Sequence, residues 1–191
     1  MEYNILMEYM EGGSLSDMMR KNESGLKIGA IKNIMRQLLR GITHLHEHNI
    51  IHRDLKPANI LTCTKQANFK IADFGISTEV IEQMSTCKRS VAGTPWYMAP
   101  EVILGQPYSF GVDIWSLGCV LYELVCGKKP YYKVAGMQAM FLMVQNVNPL
   151  ENCDEKVKDV FYNKKNRKLL DFLQKCWRPQ CAMRPTAAEL I

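Results

Sequence analysis

His52-Arg53-Asp54-Leu55-Lys56-Pro57-Ala58-Asn59 and, fourteen residues further on, Asp73-Phe74-Gly75 are the stretches of this chain best suited to chemistry. They offer a proton acceptor and two magnesium ligands on adjacent loops, the parts that phosphoryl transfer from ATP requires. Such a reaction asks little covalent work of a protein. It needs the acceptor hydroxyl lined up, the metal held and the developing charge neutralised. In that scheme Asp54 orients the hydroxyl and takes its proton, Asn59 and Asp73 hold Mg²⁺, and Lys56 offers a cation to the moving group. A single carboxylate in a turn is usually only solvated, so the argument rests on the whole set.

Elements must bring these residues together. Ile60 to Thr62 and Phe69 to Ile71 read as two short strands around the polar turn Lys65-Gln66-Ala67-Asn68. A hairpin of this kind presents Asn59 at one end and Asp73 at the other, which lets ligands distant in sequence converge. Ile5 to Met10 reads as a strand ending at Glu11-Gly12-Gly13, and Ser14-Leu15-Ser16-Asp17 as the capped start of a short helix. From Ala30 to His48 the residues Ile31, Ile34, Met35, Leu38, Ile42 and Leu45 recur at helical spacing, with Asn49 as the stop. Asp113 to Cys126 predicts a buried central helix ended by Gly127 and Pro130. Further helices are expected around Met137–Gln145 and Arg167–Trp177, and Thr186 with Glu189 forms a capping box for one more. The polar stretch from Thr78 to Val91 is expected to be a surface loop.

A third motif, Gly93-Thr94-Pro95-Trp96-Tyr97-Met98-Ala99-Pro100-Glu101, follows the first two. Three motifs in this order and at this spacing resemble the eukaryotic protein kinases, and the likeness runs along the whole chain. The resemblance implies a mainly α fold (α+β overall), a kinase-like C-terminal lobe with short β-hairpins. It implies one partial domain over residues 1–191: a hinge strand at 4–13 and a C-terminal lobe at 14–191, truncated in its last helix. The glycine-rich loop and strand lysine of the N-terminal lobe are not seen, so this chain by itself is expected to be inactive.

Roles carry over by resemblance to matching positions. Met7 falls at the gatekeeper, Glu8 and Met10 at the adenine-binding hinge, Ser14 at a ribose contact that is equally a helix cap, and Leu61 beneath the adenine. His52 and Phe74 resemble members of a stacked apolar spine. Asp113 would accept hydrogen bonds from the backbone of the catalytic loop, and Glu101 would pair with Arg184. Arg53 implies a device in which a phosphate on a nearby loop orders that loop, with Ser90 as first choice of acceptor and Thr86 and Ser85 as second. Lys56 together with Thr94 matches Ser/Thr rather than tyrosine kinases, and the Gly93–Glu101 wording is most similar to kinases of the mitogen-activated cascades. ATP and Mg²⁺ are the implied cofactors; protein substrates bearing Ser or Thr, and an upstream activating kinase, the implied partners. Alternatives are a catalytically incomplete lobe acting as a docking or regulatory module, and a small-molecule phosphotransferase of related fold. The peptide-positioning segment Gly93–Glu101 disfavours the second.

Composition sets the outer bounds. The 191 residues are 47% hydrophobic and 23% charged, enough for one globular domain. A formal charge of +5 is too modest to argue for nucleic acid. Lys158, Lys164, Lys165 and Arg167 form the densest basic stretch, read as the wet side of loops and short helices, with a docking surface for acidic partners as the alternative. The seven cysteines are scattered without Cys-x-x-Cys pairs, which points to reduced thiols and a cytoplasmic or nuclear setting. His44, His46 and His48 are read as a helix end suited to the macrodipole. No signal peptide or membrane span is read in the sequence.

Overall fold

Ser14 starts the first helix through a reciprocal capping box: its hydroxyl accepts from Asp17 N, and the Asp17 carboxylate accepts from Ser14 N at 3.0 Å. This helix, α1 (Leu15–Arg20), buries Leu15 and Met19. The computed structural model describes residues 6–22, 24–63, 65–79 and 93–191. Helix α2 (Ile28–Glu47) follows, burying Ile31, Ile34, Met35, Leu38, Leu39 and Ile42 along one stripe. Asn49 ends it with φ 59°, a conformation asparagine tolerates better than most residues.

Two small antiparallel sheets sit against this helix. Strand β1 (Ile50–Ile51) pairs with β4 (Thr78–Glu79), and β2 (Ile60–Cys63) with β3 (Asn68–Ile71) in the register Ile60↔Ile71, Cys63↔Asn68. Gln37 of α2 clamps the β2–β3 turn, accepting from Phe69 N at 2.9 Å and donating to Ala67 O at 3.0 Å. The hairpin that the sequence predicts is therefore present and fixed to the long helix.

The remainder is helical. A short turn of helix, α3 (Pro100–Ile103), leads to α4 (Gly111–Cys126), then α5 (Gly136–Val144), α6 (Glu155–Tyr162) and α7 (Arg167–Cys176). Helix α4 is the axis of the core: fourteen of its sixteen residues are buried, so no solvent-facing stripe exists for periodicity to show. Gly127 stops it in the left-handed conformation, φ 72°, as a C-terminal glycine does. Gly118 lets α4 and α7 touch, since a Cβ there would lie 2.8 Å from both Cys176 Cβ and Trp177 Nε1. Thr186 and Glu189 form the expected capping box, but the turn it opens is a 3₁₀ segment, Ala188–Leu190. The result is a mostly α lobe with small hairpins.

One expectation changes. No strand forms over residues 6–13; Leu6, Met7 and Tyr9 stand in solvent, because an apolar run forms a strand only beside a partner whose backbone can satisfy its own. Its backbone is bonded to β2 at its end, with Gly12 N donating to Thr62 O and Thr62 N to Gly13 O, both at 2.8 Å. The stretch around Lys158 forms the short helix α6, in line with the reading, and buries Phe161 on its inner side. Residues 4 and 5 of the expected hinge strand, and the hydroxyls of Ser85, Thr86 and Ser90, lie outside the described residues.

The core encloses one strong ion pair. Arg184 Nη1 donates to Glu101 Oε1 at 2.6 Å and Nη2 to Oε2 at 2.9 Å, and Nη1 also reaches Gly111 O at 2.9 Å. Both residues are buried. Removing one partner strands the other charge, so Arg184→Ala is expected to destabilise the lobe by about 3–5 kcal/mol. Chemical denaturation monitored by circular dichroism checks this; an unchanged midpoint would show the pair contributes nothing.

Candidate active site

The chain reverses sharply after β1, and the reversal is held by a carboxylate from α4. Asp113, wholly buried, accepts from His52 N and Arg53 N at 2.9 Å each, as the resemblance implies. Burial strips this carboxylate of water, and two backbone amides supply donors in its place. They hold Arg53 at φ 69°, a strained value for a residue with a side chain.

The turn delivers Asp54, Lys56 and Asn59 to one place. Lys56 Nζ donates to Asp54 Oδ2 at 2.5 Å and to Thr94 Oγ1 at 2.8 Å. Thr94 N and Oγ1 donate to Asp54 Oδ1 at 3.1 and 3.0 Å. Asn59 Nδ2 adds bonds to Asp54 O and Oδ2 at 3.0 Å each. Asp54 is thus fixed from both sides, with its side chain 11% exposed. The three residues given catalytic roles in the sequence form one connected network.

Asn59 spends its amide hydrogens on Asp54, so its amide oxygen is the atom that would face a cation. Beyond the last strand pair the ladder continues, with Ala72 N donating to Asn59 O at 2.9 Å, so Asp73 follows directly beside it. Asp73 is exposed and also holds a positive φ, 66°. Its segment is pinned on the far side by β1–β4 pairing, by Ser77 Oγ donating to His52 O at 3.3 Å, and by His52 Nε2 against Ala72 O at 3.0 Å. The donors are few, oxygen-based and hard. They fit Mg²⁺, which binds through one or two carboxylates and completes its shell with water and phosphate.

The remaining sequence candidates are located as follows. His52 and Phe74 meet edge to face at 5.1 Å, although Phe74 stays half exposed. Met10 is buried while Met7 is exposed, and Glu8 pairs with Lys70. Leu61 is half buried, between Ser14 and Lys70. The Ser14 hydroxyl is engaged with Asp17 at 2.6 Å, so its helix-cap role accounts for it. Arg53 is half buried and donates to the Tyr108 hydroxyl at 3.2 Å.

Sequence reading missed His46. It is not merely a charge at a helix end: its Nε2 lies 2.9 Å from Asp113 Oδ2 and its ring packs on Phe110 at 4.6 Å. The signal was available, since His46 falls four residues after Ile42 on the buried stripe of α2. Also missed was Glu123, the hydrogen-bond acceptor of the Tyr97 hydroxyl, with Lys129 stacked 3.0 Å over the Trp96 ring nearby. These residues brace the segment that follows Thr94.

A mostly helical lobe thus ties a carboxylate, a lysine, a threonine and an asparagine into one hydrogen-bonded network. Residues 1–191 match the protein kinase domain family throughout, and the chain belongs to it. It is 38% identical over 189 residues to MAP3K epsilon protein kinase 1 of Arabidopsis thaliana, covering 98% of this chain and 13% of that protein. Mitogen-activated protein kinase kinase kinase ANP1, also of Arabidopsis thaliana, is 40% identical over 193 residues, 98% of this chain and 27% of its own length. Serine/threonine-protein kinase shk1/pak1 of Schizosaccharomyces pombe is 37% identical over 187 residues, 98% and 27%. The chain therefore spans under a third of these relatives.

Burial pushes the Glu123 carboxyl above its ordinary value, and the Tyr97 hydrogen bond opposes the rise. The folded protein then holds this proton more tightly than the unfolded chain does. Stability associated with it is full below about 4.5, the ordinary value, and is lost as pH climbs through the higher folded value. Glu123→Gln is expected to flatten the pH dependence of the melting temperature over that interval. Parallel curves for the two proteins would show that Glu123 does not titrate there.

Proposed function

We propose that the protein carrying this chain transfers the γ-phosphoryl group of ATP to serine or threonine hydroxyls of other proteins. The single observation that carries the reading is the Asp54–Lys56–Thr94 network. Lys56 neutralises charge between the base and the segment on which an acceptor peptide would lie, and Thr94 locks the two together. The acceptor hydroxyl hydrogen-bonds to Asp54; its oxygen attacks the γ-phosphorus as the bond to the ADP oxygen breaks, and its proton ends on Asp54. Asn59 and Asp73 would hold Mg²⁺, whose charge would neutralise that of the phosphates. Positioning and electrostatics supply the catalysis, as expected for a loose transition state.

Arg53 supports a regulatory reading. It projects from the strained turn, and among the described residues its guanidinium meets only the Tyr108 hydroxyl, while its Nε has no partner. A phosphate placed by an upstream kinase on Ser90, or on Thr86 or Ser85, would give it a bidentate partner. Free thiols at all six described cysteines suit a cytoplasmic or nuclear protein.

Asp54→Asn in the full-length protein is expected to lower the rate of peptide phosphorylation by about 10²–10⁴-fold while leaving nucleotide binding intact. A rate that ignores this change would end the assignment of Asp54. Arg53→Ala should abolish activation by phosphorylation but spare basal turnover; mass spectrometry that finds no phosphate on Ser85, Thr86 or Ser90 of the active protein would refute the device.

A further inference from the structure

The C-terminal end of α2 carries three histidines, and the fold separates them by face. His46 turns inward, its side chain 10% exposed, and places Nε2 2.9 Å from Asp113 Oδ2. His44 and His48 stand on the outer face, both exposed. Residues four apart are neighbours one turn along a helix surface. Here the two rings lie 4.3 Å apart between centroids, tilted by 49°. Two imidazoles that each reach one ion at about 2.0–2.1 Å have ring centres roughly 4–5 Å apart, so this pair needs little movement to share one.

The hydrogen bonding of His48 decides which of its nitrogens is free. Its Nδ1 lies 2.7 Å from the His44 carbonyl oxygen. A carbonyl can only accept, so Nδ1 carries the proton and the neutral ring keeps its lone pair on Nε2. A bond of this kind, from the far nitrogen to a backbone carbonyl, is how metal-binding histidines are held in tautomer and orientation. The place also suits a cation. The C-terminal end of a helix bears partial negative charge, and His48 caps α2. Imidazole nitrogen suits Zn²⁺, Cu²⁺ and Ni²⁺, whereas Mg²⁺ and Ca²⁺ keep to oxygen. No third histidine, cysteine or carboxylate completes a ligand set with the pair among the described residues.

We propose that His44 and His48 form a two-histidine chelate for a divalent transition metal of the Zn²⁺, Cu²⁺ and Ni²⁺ class, with water filling the remaining positions. One ion would bridge the last turn of α2, and helix ends otherwise fray. That turn runs through Asn49 into β1, and His46 within it braces Asp113. The bound ion would thereby steady the chain that enters the turn carrying Asp54. The proposal stands apart from the phosphoryl-transfer reading and from the oxygen donors of Asn59 and Asp73.

The test titrates Ni²⁺ into the full-length protein by calorimetry, with Mg²⁺ in excess to fill hard oxygen sites. Ni²⁺ is the probe because thiolates select Zn²⁺ and Cu(I). One Ni²⁺ binding event is expected to weaken at least about tenfold in His44→Gln and similarly in His48→Gln, and to persist in Asp73→Asn. Hydrogen exchange at the amides of residues 44–50 should slow when Ni²⁺ is added to the wild type and not to either histidine variant. Far-ultraviolet circular dichroism should be the same for all, showing that the variants are folded. Identical titrations for the wild type and both histidine variants would overturn the proposal. So would a loss confined to one of them, which marks binding by a single imidazole, or a loss in Asp73→Asn. Exchange that Ni²⁺ leaves unaltered would overturn it as well.

Discussion

The buried carboxylate of Asp113 is the constraint on which the site depends. It is anchored in the first turn of α4, where the helix N-terminus favours negative charge, and it holds two successive backbone amides of the turn that carries Asp54. A turn with a strained Arg53 would relax without such a clamp. His46 makes the clamp three-sided by joining it to α2, so the long helix, the central helix and the reactive loop share one hydrogen-bonded point. Geometry at Asp54 is therefore set by α4 and α2 packing, several residues away from any reacting atom.

A second buried charge controls the other approach to the same helix. Arg184 binds both oxygens of Glu101 and the carbonyl of Gly111, which opens α4 two residues before Asp113. Glu101 in turn begins the helix that follows Thr94 and Tyr97. The two ionic clusters thus bracket the N-terminal end of α4, one gripping the loop that holds Asp54 and the other the segment that presents Thr94. Each is satisfied by several donors, which is what permits full burial. Gly118 then lets the central helix seat directly on α7, so the bracket rests on a closely packed floor.

Much of this was readable in the sequence, for reasons that differ by residue. Asp54, Lys56, Asn59 and Asp73 stood out because one chemistry asks for those types at that spacing, whereas Thr94 came through resemblance and its contacts with Asp54 and Lys56 are seen only in the fold. The hairpin was legible because two short apolar runs flank a polar turn, and α2 because its stripe repeats at helical spacing. Glu101 with Arg184 came only through resemblance, since 83 residues separate them and no local pattern links them. The strand over residues 6–13 failed because a strand is a property of pairs, and apolar composition does not disclose the partner. His46 was misassigned because proximity to a helix end overrode its place on the buried stripe. The Tyr97–Glu123 contact left no trace at all, as α4 is buried on every side and its register is invisible to periodicity.

The long separation within the Glu101–Arg184 clamp bears on how the molecule is made. At ribosomal speeds of about 5–20 residues per second, Glu101 emerges on the order of 4–17 seconds before its guanidinium partner. Through that interval the nascent lobe holds a carboxylate destined for the interior with nothing to neutralise it. Burial of Glu101 must wait, and with it the seating of the chain around the opening of α4. Completion of the loop that carries Asp54 is thereby coupled to synthesis as far as Arg184, so a nascent chain halted short of that residue would leave the loop unassembled.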